Sequence, residues 1–268
     1  MRKLTHSKFF CCIALVLLVA WPLHAQDPTQ IVQTAVNTEL AASRNDHSLW
    51  RYRDNQREAD KISIVVQTSH GTIKRVFEKN GAPLTADEAR AEDARIQSFI
   101  HDPEKIAKQK RDGASDDKNA AELLNMLPTA FLWRIANENG DSITLTFSPN
   151  PDFNPPDMQS RVLSAMAGEM VVDKQQHRIK TINGKLVRDV TFGWGLLGRM
   201  KQGGTFRVER RELKPGLWQI TETHVNIVGK ALLFKNIGQQ QDEVQTDFTQ
   251  VPADTTLEQA AEMSKEKH

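Results

Sequence analysis

Residues 142–148, SITLTFS, limit the fold more than any other stretch. Ile143, Leu145 and Phe147 alternate with Ser142, Thr144 and Thr146. A period of two puts the apolar side chains on one side of an extended chain, as in a strand half-buried in a sheet. The preceding run, TAFLWRIAN (129–137), reaches it through Asn139-Gly140, a strong short-range hairpin signal. Similar patterns recur at 48–54, 62–69, 72–80, 168–192, 205–213, 217–229 and 231–248, with turns at His70-Gly71 and near Gln175-Gln176 and Asn183-Gly184. This predicts about ten locally connected strands. No strand–helix–strand unit repeats, which excludes a doubly wound parallel sheet. The expected fold is α+β, mainly β: a large curved antiparallel sheet or incomplete β-barrel, with helices covering one face.

Helical spacing is confined to a few places. Asp27 as cap and Pro28 in the first turn open a helix carrying Ile31, Val32, Ala35, Val36 and Leu40. An insertion, 82–127, interrupts the strands. Thr85 and Glu88 form a capping box for a charged helix with a thin apolar side of Ala89, Ile96, Phe99 and Ile100. The polar run 108–119 follows, with Gly113 as its expected hinge, and then a short apolar helix, 120–127, that Pro128 is expected to end. A short helix is expected at 158–167, and the polar end, 256–268, is read as a fraying tail or loose helix.

The first 25 residues read as an export signal. Arg2, Lys3 and Lys8 precede the apolar run 9–21, and PLHA (22–25) is a cleavage site. The run is short for a spanning helix, so removal is expected, with a retained anchor as the alternative. The expected location is the periplasm. Cys11 and Cys12 both lie in this segment, and no cysteine follows it to carry a lipid. The predicted domain is therefore a soluble monomer over 26–255, large enough to fold without disulfides. Beyond residue 25 there are 32 basic and 34 acidic residues, so the basic excess of a nucleic-acid binder is missing.

Gly193, Gly195 and Gly198 spell G-x-G-x-x-G. The fingerprint binds a pyrophosphate only where a helix begins at its last glycine, and RMKQ leaves no room for one before Gly203-Gly204 and the next strand. Its apolar neighbours Trp194, Leu196, Leu197 and Met200 have two readings. They plug the end of the sheet, or they form a tip that meets a membrane or a partner. The segment 229–237 is expected beside them. The histidines have no metal-ligand spacing, Ser69-His70 reads as a turn, the acids of 86–95 read as a solvated helix face, and Gly229-Lys230 lacks the glycine of a phosphate loop. No cofactor, metal or catalytic group is expected.

The order of elements and the phrases at 52–64, 80–97 and 168–213 resemble the LolA/LolB lipoprotein-carrier superfamily, over nearly all of 30–250. The resemblance implies an incomplete barrel with an apolar concave face, roofed by short helices, that shelters acyl chains or lipidated peptides. The positions it suggests are Leu123, Leu124 and Leu127 on the lid, and Trp50, Ile64, Trp133, Leu145, Phe147 and Trp218 on the sheet. The resemblance puts the carriers' lid-closing arginine on an early strand, where both Arg51 and Arg53 stand, and selects neither. The charged insertion is longer than a lid requires. The implied function is a non-enzymatic carrier of lipid or acylated protein, with an envelope protein partner and transient membrane contact. A regulatory or sensory module of the same fold is the alternative.

Overall fold

The computed structural model describes residues 26–192, 198–231 and 236–265. The expected export signal and the apolar tip residues Trp194, Leu196 and Leu197 lie outside them. Helix α1 (Pro28–Asn45) comes first, followed by strands β1 (Leu49–Gln56), β2 (Lys61–Thr68), β3 (Gly71–Lys79) and β4 (Ala82–Pro83). Helices α2 (Ala86–Ile100) and α3 (Pro103–Ala130) lead to β5 (Phe131–Asn139) and β6 (Ser142–Pro149). After α4 (Met158–Leu163) come β7 (Met166–Asp173), β8 (Ile179–Leu186), β9 (Val190–Phe192) and β10 (Gly198–Met200). The long strands β11 (Thr205–Lys214), β12 (Leu217–Ala231) and β13 (Asn236–Val251) precede the last helix, α5 (Leu257–Met263).

Among the described residues, thirteen strands belong to one antiparallel sheet that does not close into a barrel. Eleven follow the path β4-β3-β2-β1-β13-β12-β11-β8-β7-β6-β5, and β10 joins β9 to β12 beside it. The three strands beyond the expected ten or so are β4, β9 and β10, each too short to show a period. The local signals explain many boundaries. Asp27 accepts from Thr29 N at 2.9 Å, and Thr85 and Glu88 form the reciprocal cap of α2. The β5–β6 turn falls at Gly140, with φ of 43°, and Ser69-His70 is the β2–β3 turn.

Pairing registers sort the side chains onto two faces, and a core lies on each. Val32, Ala35 and Val36 of α1 and Leu127 and Ala130 of α3 pack on Phe131, Trp133, Leu145, Phe147, Met170 and Ile179 of β5–β8. Phe206 and Ile227 extend this α1 face onto β11 and β12. The second core joins Ile96 and Ile100 of α2 and Leu257, Ala260 and Ala261 of α5 to Ile64, Val66, Ile73 and Val251. Following cross-strand partners from Phe206 through Val225 and Gln241, and from Gln245 to Asp54, puts Trp50, Tyr52 and Asp54 on the α1 face and Ile64 on the other. Helices therefore cover both faces rather than one.

Helix α3 corrects the expected hinge. It runs unbroken through Gly113 and keeps Pro128 inside its last turn. Its 28 residues rise about 42 Å and carry the chain from one edge of the sheet to the other. The ion pairs Lys108–Asp112 and Lys118–Glu122 on either side of Gly113 partly offset its cost. Pro128 removes only one hydrogen bond near the helix end, where Leu127 and Ala130 are packed.

Asn183-Gly184 is not a turn. Both residues lie within β8, where Gly184 makes room: a Cβ there would come within 2.7 Å of Phe206 and 3.1 Å of Phe147. The polar C-terminal stretch is a docked helix, held by its buried Leu257, Ala260 and Ala261.

Candidate functional site

The α1 face gathers most of the suggested binding residues. Phe147 anchors its apolar half, with ring centroids 4.6 Å from Phe131 and 5.2 Å from Trp133. Leu145 is buried beside them, Leu127 closes over them, and Leu124 packs from the side. Leu123 is half-buried outside this cluster. The helices thus fill the apolar face with protein side chains. Between the first turns of α1 and the ends of β5–β7, a cavity of about 680 Å3 reaches this core. Ile31, Ile143 and Val172 form its apolar wall, and Glu138, Lys174, Asp173 and His177 its polar rim. That volume lies within the range of small-molecule sites.

A buried ion cluster fixes α1 to the sheet. Glu39 accepts from Arg178 Nη2 at 3.0 Å, Arg178 Nε at 3.1 Å and the Ile179 amide at 2.8 Å, and also pairs with Arg210. Burial pushes the Glu39 carboxyl up, but the two guanidinium groups outweigh it and leave the pKa below the ordinary value. Trp218 belongs here rather than to the apolar half. Its ring lies 5.7 Å from the Arg178 guanidinium, and its Nε1 donates to Gln176.

The other half of the α1 face, on β1–β3 and β13, mixes aromatic and polar side chains. Trp50 is 1 % exposed and meets Phe248 edge-on, while Tyr52 stacks on Phe248 at 5.1 Å. Asp54, 3 % exposed, accepts from Lys74 Nζ at 2.6 Å through Oδ2. Its Oδ1, and the Oγ of Ser63 directly opposite, are buried without a hydrogen-bond partner. Burial raises the Asp54 pKa against the opposing effect of Lys74, and burial also raises that of Tyr52. Glu243 shares this face and accepts from Gln56 at 2.8 Å.

Comparison with known families, curated proteins and solved structures finds no match to this chain. Ile64, Arg51 and Arg53 need correction. Ile64 points away from the α1 face into the α2–α5 core, because alternation within one strand does not tell which face its neighbours bury. Met200, one of the apolar residues read either as a plug of the sheet's end or as a tip, is half-buried against the α1-face core. Arg51 and Arg53 hold no lid: Arg51 Nε donates to the Met263 carbonyl of α5, and Arg53 pairs with Glu78 and lies over Phe77.

The acids of α2 are only partly a solvated face. Arg95 donates to the Lys74 carbonyl, Glu92 accepts from the Val76 amide at 2.8 Å, and Gln109 of α3 bonds both the amide and the carbonyl of Thr72. These side chains cover the β3 edge where β4 does not reach. Sequence reasoning missed this edge cap, the Glu39 cluster and the Asp54–Ser63 pair. Each depends on partners far apart in the chain, and the one local hint was a lone Asp within a strand. Among the described residues, no group of three or more His, Cys, Asp or Glu side chains is arranged to hold a metal ion.

Proposed function

We propose that the protein is a non-enzymatic carrier of acyl-chain amphiphiles, exported to the periplasm, and that the chain of its ligand occupies the apolar half of the α1 face. One observation carries the reading: an open sheet buries an apolar face under helices, and a cavity at the foot of α1 leads directly onto that core. Acyl methylenes entering there replace helix side chains such as Leu124 and Leu127, and each buried methylene contributes about 0.8 kcal/mol. Helix α3 suits such an exchange. Residues 110–118 are exposed on consecutive turns, so its middle is free of the sheet while its two ends are anchored. The resemblance to lipoprotein carriers points the same way, with lipid or acylated protein as cargo.

Ile31→Asp tests this reading by placing a carboxylate in the cavity wall. In displacement of a fluorescent fatty acid from the signal-free protein, the expected result is binding by the wild type and a loss of about 10-fold or more in the variant, with an unchanged circular dichroism spectrum. A wild type that takes up no acyl probe, and carries no lipid in native mass spectrometry after purification from bacterial envelopes, would overturn it.

A further inference from the structure

The expected signal cleavage, between Ala25 and Gln26, makes Gln26 the first residue of the mature chain and gives it an α-amine. Only Gln26 and Asp27 then precede the first turn of α1. Gln26 is exposed, and it lines the cavity at the foot of α1 beside Asp27, Gln30 and Ile31. We propose that Gln26 is a modification site, where the new α-amine attacks its own side-chain amide and closes the lactam ring of pyroglutamate at the cavity mouth. This rests on the export reading and adds a chemical change to the site that the carrier reading uses.

The step balances without a co-reactant. The α-nitrogen forms a bond to Cδ, the bond from Cδ to Nε2 breaks, and the departing nitrogen takes one proton from the amine and leaves as ammonia. Two features leave the way open. Among the described residues, none holds the Gln26 side chain by a hydrogen bond, so Cδ is able to turn to its own backbone nitrogen. The carboxylates that line the cavity are engaged elsewhere. Asp27 accepts from the Thr29 amide at 2.9 Å, and Glu138 pairs with Lys174 at 3.1 Å. Asp173 accepts from the Gln175 and Gln176 amides and pairs with Lys180. The amine therefore meets no uncommitted acid among them, and at neutral pH part of it is the unprotonated nucleophile. The product also suits the place better than the amine. An ammonium beside the N-cap opposes the positive end of the α1 dipole, and the first turn holds no acid beyond the Asp27 cap to offset it. The lactam removes that charge and favours the turn that roofs the cavity.

The test is the mass of the N-terminal tryptic peptide, residues 26–44, from the full chain expressed with its own signal, purified from bacterial envelopes and kept warm at neutral pH for several days. The expected peptide is lighter than its sequence by one ammonia, about 17 Da, and closed to Edman degradation. Gln26→Glu is expected to keep its full mass and an open N-terminus, because an amine does not attack a carboxylate at neutral pH. Gln26→Ala keeps the ammonium, so the cyclised wild type is expected to melt about 1–3 °C above it at low salt, with the gap closing at high salt. A peptide 26–44 of full mass after the incubation would overturn the proposal and leave export standing. A lactam without the melting gap would overturn its effect on α1. A chain that still carries residues 1–25, or is cut elsewhere, has no α-amine on Gln26 and overturns the proposal together with the export reading; acyl binding is judged by its own assay.

Discussion

At the scale of single residues, Glu39 is the most consequential side chain outside the apolar core. It is the counter-charge for both Arg178 and Arg210, and it bonds the first amide of β8. Removing one member of a buried ion cluster strands the others, so Glu39→Gln is expected to destabilise the protein by about 3–5 kcal/mol at neutral pH, measured by urea unfolding. The pH dependence has a definite sign. The folded pKa of Glu39 lies below its unfolded value, so its contribution is complete above the unfolded value of about 4.3 and fades as pH falls through the folded one. The gap between wild type and variant should therefore narrow below about pH 4; a gap constant from pH 7 to pH 3 would show that charge is not its source. Little of this was legible beforehand. The partners of Glu39 lie 139 and 171 residues away, beyond any local pattern. Trp133, Leu145 and Phe147 were legible as one face because they sit on a hairpin whose turn fixes their register, whereas Ile64 was assigned to the wrong face for want of such a link.

At the scale of elements, boundaries were readable where a side chain makes a local hydrogen bond and misread where a residue's average tendency was taken as its role. Asp27 and the Thr85–Glu88 pair start helices by bonding their own first-turn amides. Gly113 and Pro128 are helix breakers on average, yet α3 absorbs both because its ends are held from outside, by Gln109 on the β3 edge and by Leu127 and Ala130 in the core. Gly113 thus weakens the helix without a packing reason. A Cβ there meets nothing within 4 Å, so Gly113→Ala is expected to stabilise the protein by about 0.5–1 kcal/mol, read from urea midpoints. No gain, or a loss, would mean that the chain bends at this position as the sequence suggests.

At the scale of the whole molecule, the sheet carries separate cores on opposite faces, and α5 belongs to the smaller one. Besides its buried Leu257, Ala260 and Ala261, this end of the chain offers the Met263 carbonyl to Arg51 and the Ser264 hydroxyl to Arg75. A chain truncated after residue 256 should lose about 3 kcal/mol or more and melt roughly 10 °C lower. An unchanged melting temperature would restore the loose tail that polar composition predicts. The architecture was legible in outline, since alternation and turn residues announce an antiparallel sheet, but the strand order was not. The first long strand pairs with the last, Leu49 against Val251, about 200 residues later in the chain. That seam sets an order of events in folding. The hairpins β1–β3 and β5–β6 need only neighbours in sequence, but the two flanks of the sheet remain separate until β13 arrives between β12 and β1. Closing so long a loop is slow, so the last long strand acts as the keystone of folding, and a chain interrupted before it would hold two half-sheets, each with a raw edge open to its counterpart in another copy.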